Sequence, residues 1–252
     1  MADTRRSGEK ARPRLPRPQD LLPGLGLYEG GLAVGYAVLT RAPQWRAHCA
    51  ELVEQAALQP RDRVLDLGCG PGISAFSMLD RVPDLAITGL DVSWTMLRFA
   101  RHFQRREPRG ARLTLVRADA RRLPFADASF DAVTGHSFLY LLPEPGAVLA
   151  EVVRVLRPGG RVAFLEPNQH AGPDLLPPEI WAQRWADPRF VLAMGLWRGV
   201  SRAMGRMDRG RFEALFSAAG LTLVRCEETL SGLGLYGIGA RPERSTGVAR
   251  DR

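Results

Sequence analysis

The stretch Arg63-Val-Leu-Asp-Leu-Gly-Cys-Gly-Pro-Gly72 decides the fold. Its first half is a short apolar run led by a β-branched residue, and its second half holds three glycines at alternate positions, so a strand runs into a tight glycine loop. Helical spacing resumes from Ile73 to Val82. Working outward, Leu85 to Asp91 reads as a second strand, and Ser93 offers an N-cap for a helix through about Arg106. Arg112 to Arg117 and Phe130 to Gly135 are third and fourth strands. Pro145 to Leu156 is a helix that Pro158-Gly159-Gly160 is expected to stop, and Arg161 to Glu166 is a fifth strand. This alternation predicts an α/β fold, a doubly wound parallel sheet with helices on both faces.

The flanks extend the pattern. Trp45, Cys49, Leu52, Val53 and Ala56 recur at three- and four-residue steps, which predicts an amphipathic helix from about Gln44 to Leu58. Asp208 to Ala219 reads as a capped helix ending at Gly220, followed by strands Leu221 to Glu227 and Leu235 to Ala240. Between these parts, residues 167–207 break the rhythm. They carry Trp181, Trp185 and Trp197 with Phe190 and Met194, too apolar for a linker, and are expected to form a helical insertion after strand five. As a long insertion in a compact domain, it is read as a lid.

The 252 residues carry a formal net charge of +8, which invites an anionic partner such as nucleic acid. Position weakens that reading. Residues 1–19 hold +4 and residues 241–252 hold +2, so only +2 is left for the body. Residues 1–20 are expected to be a disordered basic arm, with peripheral contact to an anionic membrane as one use, and residues 242–252 a flexible tail. The main domain is then 21–241, with a cap over 21–58. Lys10 is the only lysine, a skew that genome composition accounts for as readily as guanidinium chemistry does.

Cys49, Cys69 and Cys226 are odd in number and widely spaced, which suggests neither a disulfide framework nor a zinc site and fits a reducing cytoplasm. Leu21 to Leu39 has a single charge, Glu29, but Pro23 and five glycines interrupt it. It is expected to be a Gly-rich cap over a pocket, not a membrane span or signal peptide.

Chemistry concentrates at the carboxyl ends of the strands, where open parallel sheets bind ligands. The glycines at Gly68, Gly70 and Gly72 follow GxGxG spacing, not the GxGxxG that brackets a pyrophosphate in dinucleotide folds. Asp66 beside the loop would repel a phosphate and attract an ammonium. Asp91, at the end of strand two, can accept both hydroxyls of a ribose. Asp119, after strand three, can accept from an adenine amino group while the next backbone N–H reaches a ring nitrogen. Each aspartate alone could be a turn residue, but three at successive strand ends outline one ligand with an ammonium, a ribose and an adenine.

In order along the chain, Val64-Leu-Asp-Leu-Gly-Cys-Gly-Pro-Gly72, Gly89-Leu-Asp-Val-Ser93, Arg117-Ala-Asp-Ala120, Phe130-Asp-Ala-Val133 and Arg154-Val-Leu-Arg-Pro-Gly-Gly160 resemble the motifs of class I S-adenosylmethionine-dependent methyltransferases. The resembling group includes the ubiquinone and menaquinone biosynthesis methyltransferases. The resemblance is close over about residues 44–166. It implies a Rossmann-like sheet of seven strands, the last antiparallel, and S-adenosyl-L-methionine as cofactor. It also implies that Gly68, Gly70 and Gly72 lie along the methionine part with Asp66 near its ammonium, that Asp91 holds the ribose, and that Asp119 and Ala120 bind the adenine. Gly135 to Ser137 would lie near the sulfonium, and Val92 and Trp94 would flank the adenosine.

Methyl transfer from a sulfonium is an in-line displacement at an activated carbon, so positioning and water exclusion matter most and no metal is required. If the acceptor must lose a proton, His136 is the first candidate base, because it follows strand four and an imidazole titrates near neutrality. Glu166 and His170 are second choices. No Asn-Pro-Pro-Tyr follows strand four, which counts against methylation of DNA adenine. The cap, with Tyr28 and Tyr36, and the aromatic insertion suit an apolar small-molecule acceptor. The expected function is methylation of an O, N or C atom of a quinone-like, lipid or natural-product molecule. An RNA or other nucleic-acid methyltransferase is the alternative, and no nucleic-acid partner is expected from the near-neutral body. A third reading is an S-adenosylmethionine-binding protein without activity.

Overall fold

The computed structural model describes residues 31–172 and 176–243. The arm at 1–20, the first ten residues of the cap with Tyr28, and the tail from 244 lie outside the described residues. Seven strands form one sheet in the order β3-β2-β1-β4-β5-β7-β6. They are β1 Arg63–Leu67, β2 Ala86–Asp91, β3 Leu113–Arg117, β4 Phe130–His136, β5 Leu156–Pro167, β6 Thr222–Thr229 and β7 Gly234–Ala240. All neighbours pair in parallel except β7, which is antiparallel to both β5 and β6. The expected Rossmann-like doubly wound sheet with an antiparallel last strand is what the chain forms.

β1 sits at the centre because it is apolar on both faces, with Val64, Leu65 and Leu67 fully buried. On one face lie α2 (Pro43–Ala50), α3 (Leu52–Gln55), α4 (Ile73–Arg81) and α5 (Trp94–Gln104). Here Trp45, Phe76, Phe190 and Trp197 share one core. On the other lie α6 (Pro145–Val155) and α9 (Arg209–Ala219), whose Val148, Leu149, Phe212 and Phe216 build a second core. Gly237 in β7 makes this second core possible, since a Cβ there would stand 2.3 Å from the Phe212 ring. The insertion supplies α7 (Pro178–Ala182) and α8 (Pro188–Met204), and α1 (Gly31–Leu39) precedes the rest.

Two elements differ from the sequence reading. The helix expected from Gln44 to Leu58 is two pieces, α2 and α3, joined at Glu51. Glu51 pairs locally with His48 Nδ1 at 2.9 Å and is drawn to distant strands, accepting from Tyr236 Oη and Thr229 Oγ1, each at 3.3 Å. The helix ends at Val155 as expected, but β5, expected from Arg161, already starts at Leu156 and takes in Pro158-Gly159-Gly160 as an irregular segment, where the register jumps between Phe130 and Ala132 of β4. The Gly159 N–H donates to the Arg241 carbonyl at 3.0 Å and the Arg241 N–H to the Gly160 carbonyl at 2.8 Å, so β7 captures the glycines as strand.

Local caps hold the helices that frame the site. Ser93 Oγ accepts from the Met96 N–H at 3.2 Å, as an N-cap should. Asp187 caps α8 through the Phe190 N–H and also accepts from the Gln44 N–H at 3.3 Å, which ties the insertion to α2.

Candidate active site

A cleft opens at the carboxyl ends of β1, β2 and β4, where the strand order reverses around β1. Its floor is the glycine loop. Gly68, Gly70 and Gly72 all have positive φ, at 63°, 52° and 84°, a region closed to most other residues. A Cβ on Gly70 would project into the cleft, with its nearest neighbours 3.9 and 4.0 Å away, so the bare backbone leaves room for a ligand. Gly72 turns the chain into α4, and a Cβ there would press on Phe76 at 2.9 Å.

Asp91 is the hub of this half. Oδ2 accepts from the Gly70 N–H at 2.9 Å and Oδ1 from the Ser93 N–H at 2.8 Å, so one carboxylate joins the glycine loop to the start of α5. Val92, Asp119 and Ala120 line the same wall. Burial raises the Asp119 pKa, but the Arg121 guanidinium and backbone N–H outweigh it and hold the carboxyl below its usual range.

The other wall comes from Tyr36 of α1, from His136 at the end of β4, from Ser137 and Phe138 after it, and from Leu141 and Leu142. Ser137 has a positive φ of 60°, a strained backbone for a residue with a Cβ. Long-range contacts hold it there. Trp197 Nε1 donates to Ser137 Oγ at 2.7 Å, and Ser137 Oγ is 3.1 Å from His136 Nδ1. The Trp45 ring lies 5.3 Å from the His136 ring. Burial in this aromatic setting, helped by repulsion from His48, lowers the His136 pKa to about 4. The expectation of an imidazole titrating near neutrality is corrected: His136 is neutral at pH 7.

Six sequence candidates stand outside the cleft wall. Asp66 is fully buried behind the glycine loop, where Thr134 Oγ1 donates to its Oδ1 at 3.1 Å and Oδ2 has no partner. Burial pushes its pKa up to about 7. Gly72 faces Phe76. Trp94 is half-exposed on the outside of α5. Gly135 backs onto the Phe164 ring, which a Cβ would meet at 2.7 Å. His170 is exposed, and its backbone N–H donates to Asn168 Oδ1.

Glu166 is fully buried and serves the turn after β4. Its carboxylate accepts from the backbone N–H groups of Phe138, Leu139 and Tyr140 at 3.2, 2.8 and 3.3 Å. Burial pushes its pKa up to about 7, with those three donors working in the opposite direction. This arrangement suits a clamp on the loop, not a base facing an acceptor. Sequence reasoning missed Trp45, Thr134 and the Ser137–Trp197 bond, because each depends on side chains meeting across the fold, and it also missed Arg121. Arg121 alone had a local signal, two residues from Asp119.

The cleft suits S-adenosylmethionine in its donor chemistry: an orphaned buried carboxylate oxygen behind the loop, a glycine cradle, and two carboxylates at strand ends. Among the described residues no group of three or more His, Cys, Asp or Glu side chains is placed to hold a metal ion. No helix among them is long and apolar enough to cross a membrane.

Residues 65–164 match the family described as "Methyltransferase domain". The chain is 31% identical over 204 residues to the demethylmenaquinone methyltransferase of Thermus thermophilus, spanning 79% of this chain and 90% of that protein. It is 36% identical over 186 residues to the 2-phytyl-1,4-naphtoquinone methyltransferase of Synechococcus elongatus, covering 72% of this chain and 80% of that one. In fold it is similar to phosphoethanolamine N-methyltransferase 2 of Haemonchus contortus, with a TM-score of 0.65 at 15% identity over 88% of this chain and 60% of that chain. The protein belongs to the class I S-adenosylmethionine-dependent methyltransferases. It is an enzyme that uses S-adenosylmethionine as its methyl donor.

Proposed function

We propose that this methyltransferase acts on an O, N or C atom of an apolar small molecule, with a quinone-like ring as the favoured acceptor. The observation that carries the reading is the single cleft in which Gly70, Asp91 and Asp119 share space with His136, Ser137 and Tyr36. One side is polar and built for a nucleoside. The other is aromatic and apolar, which suits a flat lipophilic ring. The names of the relatives that match most of the chain support the same class, since both act on quinone-type molecules.

In this reading Gly68 and Gly70 lie along the methionine part of the cofactor, and Gly72 shapes the loop from behind. Asp91 takes the ribose hydroxyls while its bonds to Gly70 and Ser93 keep it aimed. Asp119 and the Ala120 N–H read the adenine edge, and Val92 packs on the adenosine. Asp66 acts from beneath the loop. S-adenosylmethionine supplies a methyl group on a sulfonium, which makes the carbon electrophilic without further activation. The protein's task is to orient the acceptor and exclude water. His136, neutral and wedged between Trp45 and Ser137, presents a hydrogen-bonding edge beside the acceptor; at a pKa of about 4 it is a weak base. Glu166 and Trp197 hold the loop that carries it. The described residues of the cap and of the insertion 167–207, Tyr36, Trp45 and Trp197 among them, form the acceptor side.

The test is transfer of a labelled methyl group from S-adenosylmethionine to reduced naphthoquinones and benzoquinones with side chains of increasing length, beside RNA. Label on the ring compounds, with KM falling as the tail lengthens, supports the reading. Label on RNA alone would sink it.

A further inference from the structure

Asp119 is already bonded on both oxygens by Arg121. Its Oδ1 accepts from the Arg121 N–H at 2.9 Å and from Arg121 Nε at 3.2 Å. Its Oδ2 accepts from Nε at 3.1 Å and from Nη2 at 2.9 Å. An ionised carboxylate has about four lone-pair sites, and three Arg121 N–H groups, one of them shared between the two oxygens, take up most of them. A purine amino group that donates to Asp119 must compete with the guanidinium for the same two oxygens.

The guanidinium has somewhere to go. Its Nη1 lies 3.9 Å from Glu144 Oε2, just ahead of α6, and Arg121 and Glu144 both line the cleft. The two partners are unequal. The Asp119 side chain is 19% exposed and grips Arg121 with two oxygens, whereas Glu144 is 70% exposed and makes one long contact. Exposed, distant pairs contribute little, and forked guanidinium–carboxylate pairs contribute more. Moving Arg121 from Asp119 towards Glu144 therefore costs binding energy.

We propose that Arg121 is a competing latch on the purine edge of the cofactor site: it contends with the 6-amino group for Asp119, and so lowers affinity for adenine-bearing ligands and weakens their selection over 6-oxo purines. The proposal rests on the reading that adenine lies at Asp119. The weakened selection follows from charge. A 6-oxo purine presents an acceptor, which Asp119 repels and Arg121 can satisfy by donating.

The experiment is calorimetric titration of the full chain with S-adenosylhomocysteine and with S-inosylhomocysteine, which carries an oxo group in place of the amino group. The proteins are wild type, Arg121→Ala, Arg121→Gln and Asp119→Asn, each checked for an intact melting transition. Loss of the latch should tighten S-adenosylhomocysteine binding by about three- to ten-fold in both Arg121 variants, the range of one partly exposed ion pair. The preference for the amino over the oxo ligand should rise in the same variants. Added salt should tighten binding to wild type and leave Arg121→Ala nearly flat, since screening acts on the latch. Unchanged or weaker S-adenosylhomocysteine binding in both Arg121 variants, with Asp119→Asn weakening it, would overturn the latch alone. If Asp119→Asn also leaves affinity and preference untouched, adenine is not at Asp119 and the underlying reading fails with it.

Discussion

The two walls of the cleft are held in different ways. On the nucleoside side the carboxylates are held mainly by short motifs: Asp91 by the Ser93 N–H two residues on and by the Gly70 N–H of the glycine loop, Asp119 by Arg121. On the acceptor side His136 and Ser137 depend on partners far along the chain, Trp45 in α2, Trp197 in α8 and Glu166 at the end of β5. The first arrangement fixes a ligand shared by many enzymes with short, repeatable motifs. The second leaves the acceptor pocket to be set by packing, so its specificity changes with any of several helices. A cleft built this way keeps its cofactor while its acceptor varies.

That contrast can be broken most sharply at Asp91. Asp91→Ala strips the partner from two backbone N–H groups, at about 1–3 kcal/mol each, and also removes the carboxylate proposed to take the ribose hydroxyls. Affinity for S-adenosylhomocysteine should fall by at least ~100-fold with the sheet still folded, as calorimetry and circular dichroism would read. A loss under about three-fold would mean that the nucleoside wall lies elsewhere.

His136 gives the smaller and complementary effect. His136→Ala should leave S-adenosylhomocysteine affinity within about three-fold and slow transfer by ~10- to 10²-fold, at the low end of general-base contributions because the imidazole is a weak base. The pH dependence follows from the sign of its shift. The folded pKa is depressed from 6.5 to about 4, so the imidazole stays neutral and kcat should show no break from His136 at neutral pH. The same shift links to stability: its contribution is present above pH 6.5 and is lost as pH falls through about 4, because the unfolded chain takes up the proton first. A kcat inflection near 6.5 that vanishes in His136→Ala would contradict this environment.

Legibility in the sequence follows the same divide. The strand ends at Leu67, Asp91 and Arg117 were readable because a short apolar run followed by Gly or Asp has few alternatives in a parallel sheet. Asp91 and Asp119 could be placed at successive strand ends from the sequence, and the resemblance added Val92 and Ala120 beside them. The break at Glu51 was not readable, since the pull comes from Tyr236 and Thr229 on distant strands. Nor was the true position of Glu166: a carboxylate at a strand end looks like a base until the three N–H groups of the turn after β4 are seen to occupy it. The insertion was recognised as structured by its tryptophans, yet only Trp197 turns inward to Ser137, while Trp181 and Trp185 stay exposed beside Arg184. Apolar content identifies a packed segment without saying which of its rings face the site.

The charge of the chain takes a modest place in this account. Its excess sits largely in the end segments, and the wall chemistry asks for a cationic cofactor held by carboxylates. The most direct measurement of the central claim is a crystal structure of the protein with S-adenosylhomocysteine and a naphthoquinone. The account predicts ribose hydroxyls on Asp91, the adenine edge at Asp119 and Ala120, and the quinone ring between Tyr36 and His136 with its reacting atom facing the sulfur. A nucleoside bound away from Asp91, or a ring outside the His136–Ser137–Tyr36 wall, would contradict it.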